Sequence, residues 1–273
     1  MTETPSLSTQ HPFDEAIRLT ALDDRRFSGA THPGYLGMVA PYGGVTAATI
    51  LNAVLCDPDR IGDPLSLTVN YAAAVRQGPF IVETRLVRAT RTTQHWSMQL
   101  VQGERAEIAI SAIAVFAIRR DTFSHTEATA PEMTPFDACV RTPPLEGMPW
   151  FGRYDIRHAR GRPLVRQDDS VSHSWVRDDP PRPLDHAALA SICDVFFPRI
   201  FMHRPTFVPI GTVSMNIYFH AGSEMLARHG DAPVKAVAHG QVCDGGFFDH
   251  QGQIWSGDHE LLATTHQIVW YKE

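Results

Sequence analysis

An internal repeat constrains this 273-residue chain more than any single motif, because one order of elements occurs twice. The first half opens on a turn, Ala40-Pro41-Tyr42-Gly43-Gly44. A helix is predicted over 45–56, where Val45, Ala48, Ile50, Leu51, Val54 and Leu55 approximate a wide apolar face and the other residues are mostly small. That pattern suits a helix buried on most sides. Strands are predicted over 65–75, 80–89, 95–102 and 107–118, punctuated by Arg76-Gln77-Gly78-Pro79 and Gly103-Glu104-Arg105. The second half begins with a lead-in strand, Trp175-Val176-Arg177. A helix follows inside 184–201, with Asp185 as its cap or first-turn acid and Pro198 ending or bending it. Strands over 209–220, 234–243, 247–255 and 261–271 complete the second copy.

One helix followed by a long antiparallel meander, given twice, is the order expected of two tandem hotdog modules. That is an α+β class, a double hotdog, in which each curled antiparallel sheet wraps a central helix. The expected boundaries are an N-terminal module over 13–120, a Pro-rich connector over 121–165 and a C-terminal module over 166–273, with residues 1–12 disordered.

At these residues the chain resembles the bacterial acyl-CoA thioesterase II family, the double-hotdog thioesterases. Gly43-Gly44 looks like the family's Gly-Gly helix start. Residues 65–71, then Gly78-Pro79, then Val82-Glu83-Thr84 look like its strand, turn and strand. In the second half the similar segments are Trp175-Val176-Arg177, residues 190–194 on the predicted helix, residues 212–220, and the closing Leu261-Leu262-Ala263-Thr264-Thr265-His266-Gln267. The likeness covers 28–119 and 174–271. No member of the set is specific alone; their order and spacing carry it. The resemblance implies hydrolysis of acyl-CoA thioesters by a water held between an Asp, a Thr or Ser, and a Gln. These fall on Asp194, Thr212 and Gln267. Cys193 stands where the family often has Ser, and Ile268-Val269 where it often has Glu-Gly, departures that bear on substrate preference more than on chemistry.

The residue types fit the task. Asp194 lies in the apolar string Ser191-Ile192-Cys193-Asp194-Val195-Phe196-Phe197. A buried carboxylate is costly unless bonded or used, and desolvation raises its pKa and makes it a better base. Read alone, it is equally a solvent-facing helix acid or a structural hydrogen-bonding group. Thr212 can exchange hydrogen bonds with a water, and alone reads as an ordinary strand residue. Gln267 can orient that water without titrating, and alone reads as an edge or interface amide. A thioester is activated, so a modest base and good positioning suffice. Aligning the two copies places Leu51 or Asn52 opposite Asp194 and a residue near Ile113 opposite Gln267. One catalytic site per chain is therefore expected, shaped by the first module. Gly43 and Gly44 are the candidate oxyanion and substrate-binding residues, since a helix N-terminus offers free N–H groups and partial positive charge. A tight turn that requires glycine is the alternative.

Other chemistries find little support. His32-Pro33-Gly34-Tyr35, with Gly37 and Pro41, loosely matches the His motif of hotdog dehydratases, but no Asp-x-x-x-Gln or Asp-x-x-x-His accompanies it. No Gly-x-Ser-x-Gly elbow, HExxH or phosphate-binding glycine loop is present. Cys56, Cys139, Cys193 and Cys243 form no metal-type spacing, and reduced cytosolic thiols are expected. Neither a metal nor a cofactor is expected. The formal charge of −6 gives no reason to expect nucleic acid or an anionic membrane as partner, and no apolar run approaches the ~20 residues of a membrane span. A cytoplasmic location is expected. Arg85, Arg88 and Arg91 are either a CoA-facing edge or the solvated side of a strand. Exposed sheet edges predict a homo-oligomer. The rival to hydrolysis is a non-catalytic acyl-CoA or acyl-chain binding protein, and after it a dehydratase or hydratase.

Overall fold

Alternating burial along the strands builds one continuous antiparallel sheet in the computed structural model, which describes residues 10–273. In chain order the elements are α1 (Pro12–Ala16), β1 (Thr20–Ala21), β2 (Arg26–Ala30), α2 (Gly43–Leu55), β3 (Asp63–Tyr71), β4 (Pro79–Ala89), β5 (Thr93–Gln102) and β6 (Glu107–Ala117). After a long connection come β7 (Tyr154–Arg160), β8 (Ser172–Asp178), α3 (His186–Ile192), α4 (Ile200–His203), β9 (Ile210–Phe219), α5 (Ser223–His229), β10 (Val234–His239), β11 (Cys243–Asp244), β12 (Phe247–Trp255) and β13 (Leu261–Tyr271). The disorder expected for 1–12 falls mainly on residues outside the described range, and Pro12 already opens α1.

The sheet runs β1-β2-β4-β5-β6-β3-β9-β13-β12-β10-β8-β7, with β11 paired to β12 alone. Read outward from the β3–β9 seam, the two halves are the same. One is β3-β6-β5-β4-β2 and the other β9-β13-β12-β10-β8. This is the double hotdog that the repeat predicted. At the seam Leu67 faces Ile217 and Val69 faces Met215, all four fully buried. On the other face Thr68 Oγ1 donates to Asn216 Oδ1 at 2.7 Å.

Helix α2 packs on β4 and β5 of its own half-sheet and on α3, and the buried apolar residues of both halves join one core. Helix α2 is buried along most of its length, as its small and apolar composition requires. Helix α3 is shorter than the sequence suggested. It ends at Ile192, well before Pro198, because the chain tightens into i→i+3 bonds, Asp194 N–H to the Ser191 carbonyl at 3.2 Å and Val195 N–H to that of Ile192 at 3.0 Å. The segment 121–165 carries more than a connection. It contains the whole of β7, which pairs with β8, and Trp150 stacks on Tyr42 with centroids 4.1 Å apart.

Candidate active site

The site is assembled where the two helices meet. Gly44 sits so close to α3 that a Cβ there would collide with the Ser191 carbonyl. That carbonyl also accepts from the Tyr42 hydroxyl at 2.7 Å, while the Ser191 hydroxyl bonds that of Tyr154 at 2.8 Å. Only glycine permits such an approach of two backbones. The contact fixes the start of α2 against the end of α3, and Asp194 leaves α3 at that point.

Asp194 was expected on a helix face. It lies instead just past the cap residue Cys193, where its carboxylate turns away from its own helix and toward the start of α2. The first intrahelical bond of α2 runs from Thr46 N–H to the Tyr42 carbonyl, 3.2 Å, and Tyr42 supplies no side-chain cap. The N–H groups of Gly43, Gly44 and Val45 therefore precede the helical ladder and carry its positive end. A Cβ on Gly43 would stand 2.7 Å from Asp194 Oδ2. The Asp194 carboxylate thus caps the helix of the other module.

Gln267 closes the arrangement from the sheet. Its amide nitrogen donates to Asp194 Oδ1 at 2.9 Å and reaches the Cys193 carbonyl at 3.3 Å. Its Oε1 faces the Thr212 hydroxyl at 3.5 Å, the outer limit of a hydrogen bond. Thr212 owes this position to a bulge. Along β9 the buried residues are Met215, Ile217 and Phe219, so strict alternation would send Val213 inward and Thr212 outward. The register shifts by one instead, pairing Ser214 with Ile268 and Thr212 with Val269. Val213 is the extra residue, and Thr212 returns to the face of buried Gln267 and Val269.

Desolvation dominates the electrostatics. It pushes the Asp194 carboxyl up from the usual carboxylate range to about 7, against the opposing donors Gln267 and the Gly44 N–H. The hydroxyls of Tyr42 and Tyr71 are held well above their ordinary range, first by burial and then by the charge of Asp194. Both remain neutral donors. Tyr71 donates to the Gly43 carbonyl at 2.8 Å and so helps to place the α2 start.

All five residues singled out in the sequence, Gly43, Gly44, Asp194, Thr212 and Gln267, meet here. Tyr42, Tyr71, Tyr154 and Ser191 support them and were not singled out. The Tyr42-Gly43-Gly44 tripeptide was the available signal. His32 is engaged elsewhere, with Nδ1 accepting from the Gly34 N–H at 3.0 Å and Nε2 3.7 Å from Glu15. Arg85, Arg88 and Arg91 are exposed. Ile113 points outward, and the inward positions beside it are Ala112 and Ala114, so the first module offers no amide there. Among the described residues no three His, Cys, Asp or Glu side chains cluster as metal ligands would, and no helix is long and apolar enough to cross a membrane.

A family model for the acyl-CoA thioesterase C-terminal domain matches residues 127–271, and the model for the N-terminal domain matches residues 32–117. The chain belongs to the acyl-CoA thioesterase family. No functionally curated protein matches it by sequence. Among solved structures it is similar to a hotdog-fold protein of unknown function from Alicyclobacillus acidocaldarius, with 43% identity, a TM-score of 0.93, and 97% of this chain and 99% of that one covered. It is also similar in fold to the acyl-CoA thioesterase II of Mycobacterium marinum, with 19% identity, a TM-score of 0.76, and coverage of 95% and 98%. A third likeness, to a proposed thioesterase II from Thermobifida fusca, has 18% identity, a TM-score of 0.82, and coverage of 97% and 99%. Within this acyl-CoA thioesterase family chain, the residues carried over from the resemblance are those packed at the crossing of the two helices.

Proposed function

We propose that the chain hydrolyses acyl-CoA thioesters with a water held by Asp194, Thr212 and Gln267, releasing free acid and CoA. The observation that carries this reading is the 2.9 Å bond between Gln267 and an Asp194 carboxylate pushed up to about 7. An acid near neutrality takes and returns a proton with little free-energy penalty. Asp194 removes a proton from the water as its oxygen attacks the thioester carbon. The carbonyl oxygen gains the negative charge and is stabilised by the N–H groups that open α2, Gly43 foremost, since Gly44 already serves Asp194. The C–S bond then breaks, and the proton on Asp194 passes to the departing thiolate. Gln267 and Thr212 hold the water and take no net proton.

Asp194→Asn tests the reading. It keeps size and an acceptor oxygen but removes the base, so thiol release from acyl-CoA is expected to fall by about 100-fold or more, with the thermal transition within a few degrees of wild type. Turnover that survives in a folded Asp194→Asn protein would reject the base assignment. A protein that binds acyl-CoA but releases no thiol even as wild type would favour the non-catalytic reading.

A further inference from the structure

Trp150 comes from the segment between the two modules, in a single 3₁₀ turn, Pro149–Arg153. It is half-buried, and its indole lies on the Tyr42 ring with centroids 4.1 Å apart and planes 4° from parallel. Its backbone N–H donates to the Leu36 carbonyl at 3.3 Å. Leu36 in turn pairs with Pro41 across the loop that leads into Tyr42, and the Tyr42 N–H donates to the Tyr35 carbonyl at 2.8 Å. The turn that carries Trp150 is thus tied both to the approach to α2 and to the ring of its cap residue.

Tyr42 is the residue on which both helices depend. Its carbonyl accepts the first bond of α2, from the Thr46 N–H, and its hydroxyl donates to the Ser191 carbonyl, three residues before Asp194. The separation between the Gly43 and Gly44 N–H groups and the Asp194 carboxylate is therefore set through one side chain. A hydrogen bond at the tip of a tyrosine leaves its ring free to tilt, whereas a stacked aromatic partner fixes the plane. Tyr154 adds an edge contact to both rings, 6.1 Å from Tyr42 and 6.2 Å from Trp150, and its hydroxyl bonds that of Ser191. Trp150 packs against both of the tyrosines that hold Ser191.

We infer that Trp150 is a positioning residue for hydrolysis, holding the Tyr42 ring so that the N–H groups opening α2 stay in register with Asp194. The inference rests on the thioesterase reading for the chemistry those groups serve. It gives the segment between the modules, which neither repeat contains, a part in the reaction. A small displacement suffices, since misplacing groups around a reacting atom by about 1 Å costs on the order of 100-fold in rate.

Three substitutions separate stacking from bulk. Trp150→Ala removes both, Trp150→Leu keeps apolar bulk without a flat face, and Trp150→Phe keeps a ring to stack. In thiol-release kinetics the first two should lower kcat by about tenfold or more with KM for acyl-CoA within about twofold, and Trp150→Phe should recover most of the loss. Trp150→Leu reads the result even where Trp150→Ala does not fold. A double-mutant cycle with Tyr42→Phe, which keeps the stack and drops the bond to Ser191, tests the route: the loss from Trp150→Leu should shrink in that background. Equal losses in the two backgrounds, or a loss carried by KM alone, overturn the assignment. Carbon-13 NMR of labelled aspartate, with Asp194→Asn to assign the signal, reads the same contact without turnover. The Gly44 N–H favours the ionised carboxylate, so loosening it should move the Asp194 midpoint upward in Trp150→Leu and not in Trp150→Phe. An unmoved midpoint in folded Trp150→Leu overturns the role of Trp150. A midpoint that moves as expected in a chain whose wild type releases no thiol leaves that role standing and removes the thioesterase reading instead.

Discussion

One carboxyl group decides how the site depends on pH. Burial raises Asp194 to about 7, while the Gln267 amide and the Gly44 N–H pull in the opposite direction. The base form is needed for attack, so kcat/KM should rise tenfold per pH unit below about 7 and level off above it. Gln267→Leu removes a donor that favours the ionised form, and the rise should move to higher pH as well as fall in height. Steady-state thiol release between pH 5 and 9 reads both effects. A profile flat across that range, or a Gln267→Leu profile displaced to lower pH, would contradict this account of the carboxyl. At this scale the sequence was legible through a resemblance that named five positions, all of which meet in space. The tyrosines were not, because Tyr42 and Tyr71 act through hydroxyls that reach backbone carbonyls of Ser191 and Gly43, and nothing in their local pattern marks that.

Among the elements, strand β9 shows where pattern reading stops. Met215, Ile217 and Phe219 alternate inward, and the alternation breaks at Val213, where one extra residue enters the ladder. The bulge cannot be read from residue types, since Val213 is itself a good strand former. Helix α3 fails for a related reason. Its apolar string continues past Ile192, yet the chain leaves the helix there in i→i+3 bonds, and the Asp194 carboxylate takes the Gly44 N–H of α2 and the Gln267 amide. Deleting Val213 should restore plain alternation with Thr212 still opposite Val269 on the inner face, because the residue removed is the extra one. Hydrolysis should then stay near wild type, as it should in Val213→Ala, whereas Thr212→Val, which keeps the bulge and removes the hydroxyl, should cost about tenfold or more, the loss of one positioning group. A loss on deleting Val213 as large as that of Thr212→Val would show that the bulge itself, not the face it gives Thr212, is what matters.

The whole molecule carries two opposing sets of titratable groups shifted by desolvation, and their balance sets its response to acid. Burial depresses His158 to about 4 and His250 well below its usual value, and lowers His173, His186 and His220 as well. Each such group lets the unfolded chain bind a proton that the folded one refuses, so its contribution is full above about 6.5 and is lost as pH falls. Asp178 and Asp194, both raised to about 7, act in the other direction. They are protonated when folded and ionised when unfolded, so their contribution is lost as pH climbs from about 4 to 7. The histidines outnumber the acids in this window, and the thermal transition should rise between pH 4.5 and 6.5. Asp178 provides a clean test, since it is buried at 3% exposure with Oδ1 unpartnered and takes no part in the catalytic arrangement. Asp178→Asn deletes one opposing contribution without touching the histidines. Whatever it does to the absolute transition temperature, the slope of that temperature against pH should become steeper than in the wild type. Calorimetric melts at half-unit intervals measure the slope, and a shallower one in the variant would mean that Asp178 is ionised in the folded chain.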